Sequence, residues 1–224
     1  MTDWSPFLGL PLWVWLFALP GAFALSAVFA GDALRPVLAP VWRALDALYL
    51  AAGVVAAGFL IAILLLIVAQ MVSRWTGTAF PGSTNFAGYA MAGASFFALA
   101  HALTRGAHIR VGVFLGLNGW TRRWLDVGAL AVGAVTATYF ARFAVKANGF
   151  SAMLNDRTQG QDRIPGWLVE ALGGRGGDDW VYTPLWIPQL VMSAGTVLLA
   201  ICLWDMLIRT LVLRRPQIVS EAVE

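Results

Sequence analysis

Five stretches of this chain are long and apolar enough to cross a lipid bilayer, which takes about 20 residues of helix. They are Phe7–Phe29, Tyr49–Val72, Phe86–Leu103, Trp124–Ala147 and Leu185–Ile208. The purest is Tyr49–Val72, which contains LIAILLLIVA (Leu60 to Ala69). In hydrocarbon a backbone must satisfy its own polar groups, so such runs form helices or a closed barrel. The runs lack the strict alternation of barrel strands. Charge agrees, since only 12% of residues are charged and 59% are hydrophobic, against roughly 25% charged in soluble domains. The sequence therefore predicts an all-α integral membrane protein.

Four of the stretches form the expected core bundle. The first, Phe7–Phe29, is broken by Pro11 and by Pro20-Gly21, and two placements fit it. It is a fifth span, or it dips into one leaflet and bends at Pro20-Gly21. Met1–Pro6 carries no Lys or Arg, unlike the start of a signal peptide, so the segment is read as retained. Leu34–Leu48 mixes Arg35, Arg43 and Asp46 with Leu, Val and Trp, as a short interfacial helix does. The domain organisation expected is an N-terminal extension over 1–44, a four-span membrane domain over 45–215, and a tail over 216–224.

Loop charges orient the bundle. Thr104–Arg123 carries Arg105, Arg110, Arg122 and Arg123 and no acid; the tail carries Arg209, Arg214 and Arg215; the segment before Tyr49 carries Arg35 and Arg43. Basic loops face the cytoplasm, so these three, and the C-terminus, are placed there. Ser151–Thr183 has three arginines against five carboxylates and is placed outside. The net charge of +3 reports orientation and headgroup contact, and nucleic acid is not expected as a partner.

Transport sites place ionisable groups deep in the bilayer. Here the centres of the spans are free of them. Gln70 and His101 lie near span ends. Asp126 sits beside Arg122 and Arg123. Arg142 and Lys146 share one helix face, where they snorkel to headgroups or meet an outer partner. Asp205 and Arg209 have the acid-first i,i+4 spacing of a helix ion pair. The only two histidines, His101 and His108, would stand about 10.5 Å apart on one helix, so they cannot take opposite faces of one haem. Cys202 is the sole cysteine and reads as a packing residue. The chain shows no Ser-His-Asp pattern, phosphate loop or metal-ligand spacing. No catalytic, metal-binding or substrate-binding residue is assigned, no cofactor is expected, and the chain is read as not an enzyme.

Small residues are prominent instead. Gly88, Ala92 and Ser95 recur at helical steps in AGYAMAGASFFALA (Ala87 to Ala100), and VGALAVGAVTA (Val127 to Ala137) contains Gly128 and Gly133. Such residues let helices approach closely in lipid, either within this bundle or against another membrane subunit.

The chain also carries LDALYLAAG (Leu45 to Gly53) leading into AQMVSRW (Ala69 to Trp75), RGAHIRV (Arg105 to Val111), NDRTQGQD (Asn155 to Asp162) and TPLWIPQL (Thr183 to Leu190), in that order. Together they resemble the small membrane subunit of tripartite ATP-independent periplasmic (TRAP) transporters, the DctQ type. The resemblance covers roughly Leu45 to Arg215. Gly112 stands where the family often has Asp. The first 44 residues and the insertion RIPGWLVEALGGRGGDDWVY (Arg163 to Tyr182) exceed the common core.

The resemblance implies uptake of an organic acid such as a carboxylate. A periplasmic binding protein captures the solute, and a large multi-span subunit of the DctM type moves it by a sodium-coupled elevator motion. The small subunit is part of the fixed scaffold in the bacterial inner membrane. On this reading Arg105, His108, Arg110, Arg122 and Arg123 are candidates to touch cytoplasmic-side lipid or the large subunit. Gly88, Ala92, Ser95, Gly128 and Gly133 are candidates for packing on a partner helix. Arg142, Lys146, Asp156 and Arg157 are candidates for outer docking, and Trp124, Trp186 and Trp204 for interfacial anchoring. The alternative is the membrane anchor of a respiratory enzyme complex, and a third reading is a free-standing small channel or exporter.

Overall fold

The computed structural model describes residues 6–105 and 119–213. A two-stranded hairpin opens them, β1 (Pro6–Phe7) on β2 (Leu10–Pro11), followed by a π-helical turn at Val14–Ala18. Then come four long helices: α1 (Leu19–Thr76), α2 (Ser83–Thr104), α3 (Gly119–Leu154) and α5 (Trp186–Leu213). Between α3 and α5 lie β3 (Arg163–Pro165), the short helix α4 (Gly166–Ala171) and β4 (Trp180–Tyr182). By length and hydropathy, four helical segments can cross a membrane: Ala33–Thr76, Ser83–Thr104, Arg123–Leu154 and Trp186–Leu213. Val14–Phe29 is apolar but shorter.

The expected interfacial piece Leu34–Leu48 is helical, yet it runs without interruption into the span that follows it. Pro36 and Pro40 lie inside α1. Each lacks an N–H and crowds the preceding turn, which bends a helix.

The helices contribute to two units. The first comprises the described parts of Met1–Ala51, Ala100–Phe140 and Val197–Glu224. Its core gathers Ala24, Ala27, Tyr49, Ala100, Leu103, Cys202, Met206 and Leu211 among others. Just before α1 the Phe17 ring meets Tyr139 of α3 at 4.7 Å, and the neighbouring Thr138 hydroxyl accepts the Trp204 indole N–H of α5 at 3.0 Å. From within α1, Tyr49 bonds Asp205, the residue after Trp204. Gly31 of α1 lies so near Val212 that a Cβ would stand 3.3 Å from its backbone.

The second unit comprises Ala52–Leu99 and Ala141–Thr196. Its helices interlock large residues with small ones. A Cβ on Gly93 would collide with the Phe59 ring at 2.8 Å, and one on Gly195 with Phe96 at 2.7 Å. Phe59 also stacks on Phe97 at 6.1 Å. This is the close approach that stands in for hydrophobic driving force in lipid. The segment between α3 and α5 is ordered by its own hairpin, with Arg163 opposite Tyr182, Ile164 opposite Val181 and Pro165 opposite Trp180.

Candidate functional site

Two buried carboxylates organise the polar chemistry of the described chain, one in each unit. In the first unit, α5 carries Asp205 and Arg209 four residues apart, and their side chains meet through Nε–Oδ1 at 3.0 Å and Nη2–Oδ2 at 2.9 Å. Two turns of α1 complete the group. Asp46 accepts from Arg209 Nη2 at 2.8 Å, and Tyr49 donates its hydroxyl to Asp205 Oδ2 at 3.2 Å. The Trp42 carbonyl takes a further bond from Nη2 at 3.2 Å, and the guanidinium lies 5.5 Å from the centre of the Trp42 ring. Asp205 is almost wholly buried, whereas the Asp46 side chain is 55% exposed.

The i,i+4 pair is as read from the sequence. Asp46 and Tyr49 were not assigned to it. Their signal was a spacing of three within LDALYLAAG, which puts both on one helix face.

In the second unit Asp162 is fully buried in the segment between α3 and α5. No cation meets it among the described residues. Its Oδ1 accepts from Asn85 Nδ2 at 3.0 Å, and its Oδ2 from the Tyr89 hydroxyl at 2.7 Å and the Thr158 hydroxyl at 2.9 Å. Its carbonyl takes both the N–H and the hydroxyl of Thr183, each at 3.0 Å. Burial works to raise its pKa, but the hydroxyl bonds outweigh burial and hold the carboxyl below the ordinary aspartate range. Gly82, at φ +78°, leaves no room for a side chain, since a Cβ would lie 2.7 Å from the Asp162 Cα. Asn85 and Tyr89 share a face of α2 at four-residue spacing, a signal that sequence reasoning passed over. Together these contacts clasp the α3–α5 segment to the start of α2.

The other candidates sort by what they touch. Arg105 is exposed at the end of α2. His108 and Arg110 lie outside the described residues, with Gly106, Gly112 and the tail beyond Leu213, including Arg214, Arg215 and residues 216–224. Arg122 is in α3, and Arg123 donates to the Leu211 carbonyl at 3.5 Å.

Gly133 faces Leu203 of its own chain, at 3.4 Å from where a Cβ would stand. Around Gly88 and Gly128 that space is open. Ala92 is half-buried, and Ser95 is exposed with its hydroxyl bonded to the Met91 carbonyl. Arg142 and Lys146 lie over the rings of Phe143 and Phe150, at 5.2 and 5.6 Å. Asp156 is exposed. Arg157 donates to the carbonyls of Arg175 at 2.7 Å and Tyr182 at 3.3 Å.

Among the described residues hydroxyls meet carboxylates at Asp162, from Thr158 and Tyr89, and at Asp205, from Tyr49, and both carboxylates are buried. What the arrangement offers is anchored helix ends, a pinned connecting segment, and wide apolar flanks on α1, α2 and α3 where Leu60, Met91 and Val132 are each about three-fifths or more exposed. A family model described as tripartite ATP-independent periplasmic transporters, DctQ component, matches residues 63–213. Neither the curated proteins nor the solved structures yield a match.

Proposed function

The chain belongs to the DctQ component family of tripartite ATP-independent periplasmic transporters, and from that premise we propose that it is the fixed scaffold on which a larger membrane subunit moves solute. The observation that carries this reading is where the charge lies. Arg209, one turn from the end of α5, is tied to Asp205 of its own helix and to Asp46 of α1, and the centres of the apolar stretches read from the sequence hold no charge. A subunit that passed a charged solute through its own body needs a polar group at mid-bilayer. A scaffold needs shape and anchorage.

On this proposal the large subunit is of the DctM type and covers apolar flanks of the helices. Gly88 and Gly128, with open space above them, admit the closest approach. A periplasmic binding protein delivers the solute to the side where α3 and α5 are joined, near Asp156, Arg142 and Lys146. The solute is an organic acid such as a carboxylate, and sodium drives its uptake. The chain lies in the bacterial inner membrane with its C-terminus in the cytoplasm. Arg105, His108, Arg110, Arg122 and Arg123 then face phosphate headgroups on that side, and the large subunit as well.

The test is assembly and flux. Purified in mild detergent from its own host, the tagged chain should retain a large multi-span protein. Liposomes holding this chain alone should show no solute flux, and those holding both membrane subunits with the binding protein should show sodium-dependent uptake. Flux through the chain alone, or purification without a membrane partner, would defeat the proposal.

A further inference from the structure

Where α3 ends and α5 begins, the second unit has a half-open cavity of about 330 Å³ lined by Ala152, Asn155, Leu172, Gly174, Arg175 and Trp186. That is the small end of the roughly 300–1,000 Å³ range of ligand pockets. Its floor is the last turn of α3, which Asn155 leaves in a left-handed conformation at φ 54°. One wall is Trp186, the first residue of α5. Two membrane-length helices thus stop at its rim. Beside it the end of α3 exposes Met153 and Leu154, each by about two-thirds, and Leu172 in the lining is about half exposed.

The charge of the cavity runs against that of its surroundings. Residues 151–183 hold five carboxylates and three arginines, yet the one charged side chain lining the cavity is Arg175. The other two arginines are occupied. Arg157 binds the carbonyls of Arg175 and Tyr182. Arg163 donates to the Tyr182 hydroxyl at 3.0 Å and lies 4.6 Å above its ring. Glu170, though exposed, accepts from the Gly177 N–H at 2.8 Å, and Asp162 is sealed in its own clasp. Arg175 is exposed, and among the described residues none accepts a bond from its guanidinium. Its carbonyl is the part that is held, by Arg157. The backbone is therefore fixed while the cation stays available.

We propose that this cavity is a binding site for the phosphate of a glycerophospholipid headgroup. A guanidinium matches the tetrahedral oxygens of phosphate with two parallel bonds. The indole of Trp186 sits at the boundary depth that tryptophan favours. The acyl chains leave across Leu172, Met153 and Leu154. A free anion would gain from Arg175 alone and nothing from that apolar rim. The insertion that supplies Leu172, Gly174 and Arg175 thereby seats one lipid between the ends of two helices.

The test uses the detergent-solubilised full chain titrated with phosphatidylglycerol, with bound lipid counted by native mass spectrometry. Arg175→Gln should weaken retention about tenfold, the loss of one charged hydrogen-bonding group, and Arg175→Lys should weaken it less. Arg163→Gln, which leaves the cavity lining intact, should retain lipid like the unaltered chain. Equal retention in Arg175→Gln and the unaltered chain overturns the proposal. Displacement of the lipid by millimolar inorganic phosphate also overturns it, because the site would then be one for small free anions.

Discussion

Asp205 and Asp162 are both buried aspartates, and the chain keeps them by opposite means. Asp205 lies in a membrane-length helix and is neutralised by a full charge, Arg209, one turn away. Asp162 lies in a connecting segment and is held by the dipoles of two hydroxyls and one amide. A helix brings residues four apart together without help, so an ion pair is available to it locally. A connecting segment has no such repeat and must collect donors from elsewhere, here from α2 and Thr158. The first arrangement ties α5 to α1 through Asp46 and Tyr49. The second closes a loop on itself and on a helix start.

Removing the charge should hurt most. Arg209→Met leaves Asp205 buried without its cation, and losing one partner of a buried pair costs about 3–5 kcal/mol. Unfolding in mild detergent, followed by thermal or denaturant melting, measures it. Adding Asp205→Asn should recover much of the loss, because the uncompensated charge is then gone. If the double variant is as unstable as the single, the ion pair is not what separates the two sites.

Asp162→Asn should cost about 2–3 kcal/mol, since the Tyr89 and Thr158 hydroxyls lose a charged acceptor. This site should also respond to acid. A carboxyl whose folded pKa is depressed adds stability that is complete above the ordinary aspartate pKa. That stability fades as pH falls from there through the folded value. Limited proteolysis within residues 163–180 should therefore speed up in acid for the unaltered chain, and Asp162→Asn should lack that component. The smallest effect belongs to Tyr49→Phe, which deletes one 3.2 Å bond to a carboxylate that keeps its guanidinium; about 1 kcal/mol is expected. A loss as large as that of Arg209→Met would show that Asp205 depends on dipoles as Asp162 does.

What the sequence disclosed follows the same division. Local, periodic features were legible: four apolar helices and the Asp205–Arg209 spacing. The small-residue stretch Ala87 to Ala100 was noticed, but the glycine in it that meets a ring is Gly93, which was not singled out. Pairings across long chain separations were not legible. Nothing in one sequence links Asp46 and Tyr49 to residues more than 150 positions later, and nothing singles out Asp162 from the other acids of its loop. Pro20-Gly21 drew attention as a bend, whereas Pro36 and Pro40, which also lie inside α1, did not. The basic stretch from Arg105 supports only an expected orientation, because the positive-inside rule counts charges and uses no geometry.

The arm of α1 that meets Arg209 leaves the ribosome first. Asp46 and Tyr49 emerge some 160 residues ahead of their partners, which at roughly 5–20 residues per second is about 10–30 s. Through that interval α1 holds an acid and a phenol midway along its length with no partner from α5 to meet them. The last helix bears no such wait, since Asp205 and Arg209 enter the membrane already joined. A chain cut short before α5 would leave Asp46 and Tyr49 without Arg209 and Asp205, the groups that meet them in the finished bundle.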